Sequence, residues 1–133
     1  MSKILIVEDE EVLSRVMSEK LKNGGYKTEI ANDGAEALLM AKKFKPDLIL
    51  LDLLLPKKNG FEVLRDLKKD GSLKDIPVIV LSNLDQDEDI KQAMTSGAVD
   101  YFVKSQHPIN EIIEKVGAHM GAPVKIALKK KVA

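Results

Sequence analysis

Residues Leu48 to Leu51 form an unbroken run of leucine and isoleucine, and the run stops on a carboxylate, Asp52. A strand buried on both faces, as in a parallel sheet, reads as such a continuous apolar stretch. Asp52 does not belong inside it, because burying an unpaired charge is costly. The lower-energy arrangement puts Asp52 at the carboxyl end of the strand, in the crevice where open α/β sheets bind ligands. Pro56 and then Asn59-Gly60 mark the loop that leaves the sheet. Taken alone, Asp52 reads equally well as a cap for a turn or for the next helix.

The rest of the chain repeats this pattern. Lys3-Ile4-Leu5-Ile6-Val7 is a short, apolar strand that ends on Glu8-Asp9-Glu10-Glu11. Val12, Val16, Met17 and Leu21 then recur at helical spacing, up to the stop at Asn23-Gly24-Gly25. Acids at a helix start complement its dipole, each contributing about 0.3–1 kcal/mol, and that role accounts for Glu10 and Glu11. It accounts less well for Glu8 and Asp9, which sit at the strand end itself. Residues 26–31 read as a second strand and Ala35–Phe44 as a helix burying Ala37, Leu38, Ala41 and Phe44. After the Asp52 strand, a helix is expected over Gly60–Lys69, and Pro77–Leu81 is a fourth buried strand ending on Ser82. A helix over Asp85–Ser96 opens on an acidic turn. Residues 101–103 form a fifth strand ending on Lys104, and Pro108 suits the first position of a helix over 109–119. This alternation predicts an α/β fold, a doubly wound parallel sheet with helices on both faces.

Right-handed crossovers bring every strand's carboxyl end to one edge of such a sheet. Glu8, Asp9, Asp52, Ser82 and Lys104 are therefore predicted neighbours. Carboxylates that close repel one another, and a divalent cation relieves the repulsion. All-oxygen donors favour a hard ion, with Mg²⁺ beside a phosphate a frequent solution. A carboxylate at that centre can attack phosphorus, while metal, ammonium and hydroxyl stabilise the equatorial oxygens. Composition narrows the alternatives. The 133 residues suit one domain, 44% hydrophobic and 32% charged, with 21 basic residues against 21 acidic. Zero net charge argues against a general nucleic-acid binder. The absence of cysteine excludes disulfides and thiolate metal sites and fits a reducing cytosol. Neither a signal peptide nor a membrane span is read, so a cytoplasmic location is expected.

With Ile4–Asp9, Leu51-Asp52 followed by Leu55-Pro56 and Gly60, Val80-Leu81-Ser82, and Gly97 to Lys104, the chain resembles the receiver domain of two-component response regulators over residues 3–119. The resemblance implies a flavodoxin-like (βα)5 fold with strand order 2-1-3-4-5. It implies that Asp52 accepts a phosphoryl group from a sensor histidine kinase. Asp9, Asp52 and the Leu54 backbone carbonyl would bind Mg²⁺, with Glu8 acting through water or Lys104. Ser82 and Lys104 would contact the phosphoryl oxygens, and Tyr101 would follow Ser82 in a switch relayed to the α4-β5-α5 face. On this reading the chain is not an enzyme but a phospho-acceptor that assists its own phosphorylation and slow dephosphorylation. Its partners would be the kinase and an unknown downstream protein, with no direct nucleic-acid contact, as a monomer or a phosphorylation-promoted homodimer.

Some positions depart from the family pattern. Ser105 follows the lysine where proline is usual, so the Lys104-Ser105 peptide is expected to be trans, a cis form costing about 3–4 kcal/mol without proline. Leu54 stands where methionine or asparagine is frequent. Residues 1–121 are read as the receiver and 122–133, with four lysines and no acid, as a basic, solvated tail. The chain is then either a stand-alone receiver or a piece of something longer. Three competing readings remain. A phosphorylation-independent interaction module of the same fold would not need the acid pair, Asp52, Ser82 and Lys104. An aspartyl phosphatase would want an acid where Leu54 stands. A nucleotide-binding domain would show a glycine-rich loop after the first strand, which is missing.

Overall fold

A computed structural model describes residues 2–121. The elements alternate without exception: β1 (Lys3–Val7), α1 (Glu11–Asn23), β2 (Lys27–Ala31), α2 (Gly34–Phe44), β3 (Leu48–Leu51), α3 (Gly60–Lys69), β4 (Val78–Ser82), α4 (Asp87–Thr95), β5 (Asp100–Val103) and α5 (Ile109–His119). The strands form one five-stranded sheet in the order β2-β1-β3-β4-β5, and every pairing is parallel. The parallel sheet is what the alternation predicts, and its order is the flavodoxin-like one that the family resemblance implies.

Successive side chains of a strand point to opposite faces, so each central strand feeds two cores. Leu5, Val7, Ile49, Leu51, Val78 and Val80 pack with Ala37 and Ala41 of α2, Val63, Leu64 and Leu67 of α3, and Ala93 of α4. Ile4, Ile6, Leu48, Leu50, Ile79, Leu81 and Phe102 pack on the other face with Met17 and Leu21 of α1 and Ile112 and Val116 of α5. The unbroken apolar runs are explained by this double burial. Asp33 and Asn59 cap α2 and α3, their side chains accepting from the Glu36 and Glu62 N–H groups, each cap contributing on the order of 1 kcal/mol.

Several boundaries shift by a residue or two from the sequence reading. α2 starts at Gly34, α4 at Asp87, β5 at Asp100, and Pro108 is the N-cap of α5 instead of its first residue. Val12 is 76% exposed instead of core-facing. The buried face of α1 is Ser14, Met17, Ser18 and Leu21, and Val12, two positions before Ser14, falls on the opposite side of a 3.6-residue turn. Ser18 is satisfied by Thr28 (2.6 Å between hydroxyl oxygens), and Ser14 Oγ donates to the Glu11 carbonyl. His107 is half-buried against the Phe102 ring, and His119 pairs with Asp100. Every described peptide bond is trans, Lys104-Ser105 included, and residues 104–106 form a short 3-10 turn. No helix among the described residues is long and apolar enough to cross a membrane. The tail at 122–133 lies outside the described residues.

Candidate functional site

Parallel pairing sets the site. Val7 is in register with Leu51, and Ser82 with Val103. The residues that follow, Glu8, Asp52 and Lys104, therefore emerge at one edge of the sheet. Backbone hydrogen bonds extend the ladder one step further, the Asp52 N–H donating to the Val7 carbonyl and the Glu8 N–H to the Ala31 carbonyl, both at 3.0 Å. Gly60 lets α3 start directly against this edge. A Cβ there would lie 2.3 Å from the Asp52 carbonyl oxygen, so no side chain fits.

Glu8, Asp9 and Asp52 each offer an oxygen, and the three lie within 4.8 Å of one another. Glu8 and Asp52 are buried, while Asp9 is exposed. Lys104 Nζ lies 2.7 Å from Glu8 Oε1 and 2.8 Å from Asp52 Oδ2. A third carboxylate, Glu10 Oε2, is 3.1 Å away, so all the N–H bonds of the ammonium are engaged. Asp52 Oδ1 accepts from the Leu54 N–H (3.1 Å) and Glu8 Oε2 from the Glu10 N–H (3.1 Å).

The electrostatics follow from this crowding. Burial, together with the neighbouring Asp52 charge, pushes the Glu8 carboxyl up to about 7, against the opposing pull of its Lys104 hydrogen bond. Burial also disfavours the Lys104 ammonium, but hydrogen bonds to Asp52 and Glu8 and their charges outweigh it and hold its pKa above the ordinary lysine value. The donor set is all oxygen and carries more negative charge than one ammonium balances. Its chemistry fits a hard divalent cation.

Ser82 is fully buried at the end of β4, and its Oγ accepts a long hydrogen bond from the Leu84 N–H, 3.4 Å. Tyr101, on β5, donates from its hydroxyl to the Leu84 carbonyl at 2.6 Å. Burial first, then Asp89, Asp52 and Asp85, push its phenol up to about 12, so the hydroxyl remains a donor at neutral pH. Ser82 and Tyr101 thus meet on the same loop residue, one at its N–H and the other at its carbonyl. Leu54 is 53% exposed at the mouth of the site, and Leu84 is half-buried against the core.

The residue that the sequence reading overlooked is Glu10. Its place in the chain suits the helix dipole, yet it makes no side-chain cap hydrogen bond for α1 and reaches Lys104 instead. The sequence signal is the run of four consecutive acids, Glu8 to Glu11, two more than the pair that the dipole leaves unexplained.

The comparisons with known proteins agree with this geometry. Residues 4–117 match the family model of the response regulator receiver domain. The DNA-binding dual master transcriptional regulator RpaA of Synechocystis is 40% identical over 118 residues, which cover 89% of this chain and 48% of RpaA. The chain thus spans about half the length of that relative. The receiver domain of the Francisella response regulator 1452 superposes with a TM-score of 0.81 at 31% identity, over 89% of this chain and 95% of that one. The Mn²⁺-bound form of the response regulator Rcp1 gives 0.79 at 32% identity, over 89% and 93%. With its sheet order, its acidic edge and this match over nearly its whole described length, the chain belongs to the response regulator receiver domains of two-component signalling.

Proposed function

We propose that the chain is a phospho-accepting switch in which Asp52 takes a phosphoryl group from a phosphohistidine on a sensor kinase, in the cytoplasm and with Mg²⁺ bound. The observation that carries this reading is the Asp52 carboxylate, buried and held between Lys104 and the Leu54 N–H beside two further acids. A carboxylate oxygen of Asp52 attacks phosphorus as the P–N bond to the histidine breaks, and the electron pair leaves with the imidazole nitrogen. Lys104 follows the charge onto a phosphoryl oxygen, and Glu10 is the easiest of its partners to release because water rehydrates an exposed carboxylate. Asp9, Asp52 and the Leu54 carbonyl would hold the ion, with Glu8 behind them on Lys104. Mg²⁺, when bound, supplies positive charge for the transferring oxygens. The chain acts only on its own aspartate, so it is a phospho-acceptor and not an enzyme toward other substrates. Incubation with Mg²⁺ and a small acyl phosphate tests the reading by intact mass, which should rise by one phosphoryl group. A phosphorylation-independent interaction module is the second reading, and an unchanged mass would favour it.

The output would run through Ser82 and Tyr101. If the Ser82 hydroxyl moves to a phosphoryl oxygen, Leu84 is released and Tyr101, bonded to the Leu84 carbonyl, must adjust. Amide resonances of Leu84, Tyr101 and α4 are therefore expected to move on adding beryllium fluoride, a phosphoryl mimic. If they stay in place, Tyr101 is a half-buried strand aromatic and nothing more.

The acyl phosphate would be long-lived. Hydrolysis needs a water in line with the bond to Asp52, and by resemblance to the family Leu54 and Leu84 would flank that approach without a group to orient it. Leu54→Asn and Leu84→Glu together are expected to speed decay by more than about threefold, roughly 0.65 kcal/mol of barrier. Decay within that limit would assign the rate to Lys104 and the metal.

A further inference from the structure

We infer that Asp33 and Gly34, at the start of α2, are positioning residues for the Asp52 site: they clamp the far half of the β3–α3 loop and so fix the backbone around Leu54. The inference rests on the metal-assisted reading above and extends it to residues that touch neither metal nor phosphate.

The contact leaves no slack. A Cβ on Gly34 would lie 1.9 Å from the Lys58 carbonyl oxygen and 2.8 Å from the Lys58 Cβ. The Gly34 N–H donates to the Pro56 carbonyl at 3.3 Å, and the Lys58 N–H donates to the same carbonyl at 2.8 Å. Between them Lys57 has a φ of +68°, in the left-handed region that residues with a Cβ avoid. Holding such a residue there costs on the order of 1 kcal/mol, and it persists only where the surroundings over-determine it. Those surroundings are α2: Lys57 Nζ reaches Asp33 Oδ2 at 3.4 Å, and Asp33 is buried while it caps the helix. The lysine is mostly exposed, so the ion pair contributes little, and close packing at Gly34 does most of the holding. At the other end of the loop the Gly60 N–H donates to the Leu53 carbonyl, 2.9 Å. Residues 53–58 are thus pinned at both ends, and Leu54, whose N–H bonds Asp52, lies between the pins. A loop that carries a backbone metal ligand has no side chain to correct a misplaced carbonyl. A misplacement of about 1 Å is enough to cost a large factor in a positioned site.

Gly34→Ala in the full chain tests the clamp with two readouts, the amide shifts of residues 53–58 and a Mg²⁺ titration. We expect the loop amides to move and Mg²⁺ affinity to fall at least fivefold, while phosphoryl uptake at saturating Mg²⁺ recovers toward native. Asp33→Ala, which removes the cap and the ion pair but no space, should weaken Mg²⁺ about threefold. It carries the test if Gly34→Ala does not fold. Leu39→Ala, on the exposed face of α2, should change neither readout. Should the native chain bind Mg²⁺ and the folded variant bind it within twofold of native, the clamp has no bearing on the site and the inference is overturned. A native chain that binds no Mg²⁺ at all would instead remove the metal-assisted reading, and the inference with it.

Discussion

Asp52→Asn will gain no phosphoryl group under conditions in which the native chain gains one. The amide has nearly the same shape and still accepts a hydrogen bond from Lys104, but its oxygen is not a nucleophile toward phosphorus. The loss should therefore be chemical, with the fold retained. The charge of Asp52 is one of the causes that hold the Glu8 carboxyl near 7. Removing it lets Glu8 ionise at lower pH, beside a Lys104 that has one anion fewer to serve. Intact mass after exposure to Mg²⁺ and an acyl phosphate reads the result, and chelation of Mg²⁺ should block uptake by the native chain in the same assay. Labelling of Asp52→Asn at the native level would move the acceptor to another residue.

Lys104→Met has the second large effect, on stability. Methionine fills much of the volume of the lysine stem but leaves Glu8 and Asp52 buried with no cation between them. Removing one partner from a buried ion pair costs about 3–5 kcal/mol, most of it the uncompensated charge left behind. We expect a loss of about 3 kcal/mol at pH 8. The pH dependence has a definite sign. The Glu8 carboxyl already stands above its ordinary value of 4.5, at about 7, and losing the Lys104 hydrogen bond raises it further. A carboxyl whose folded pKa is raised weakens the fold at high pH, and the penalty disappears as pH falls toward its unfolded value. Urea unfolding should therefore show a wide gap between native and variant at pH 8 and a narrower one at pH 5. Added Mg²⁺ should stabilise the variant more than the native chain. Equal stability at pH 8 would show that the carboxylates do not depend on Lys104.

The sheet and its edge were legible because they rest on short-range rules. Strands buried on both faces are written as continuous apolar runs, and parallel strands deliver their carboxyl ends to one side. Hence Glu8, Asp9, Asp52 and Lys104 could be grouped from their places in the chain, and α3 and α5 have the bounds expected. The inward face of α1 was half legible, through Met17 and Leu21. It carries Ser14 and Ser18 where a hydrophobic pattern wants leucine, and Thr28 on β2 satisfies one of them. Glu10 was hidden for a related reason. Its role depends on the third donor of an ammonium 94 residues away, and no local pattern records that. The clamp on Lys58 is equally silent, since Asp33-Gly34 looks like an ordinary helix start until the Lys58 carbonyl is seen against it.

Lys104 follows directly on the last strand, 52 residues beyond Asp52 and 94 beyond Glu10. Pairings so distant in sequence form late, because closing long loops costs entropy before their contacts repay it. A chain emerging from the ribosome therefore presents its carboxylates without their cation, and their mutual repulsion gives β5 an electrostatic reason to dock. Until it does, Asp52 has no ammonium beside it, and on the proposed reading nothing to steady an incoming phosphoryl group. On the proposed reading, signal reception would in this way be licensed by completed folding, since phosphoryl uptake would require that the sheet has closed.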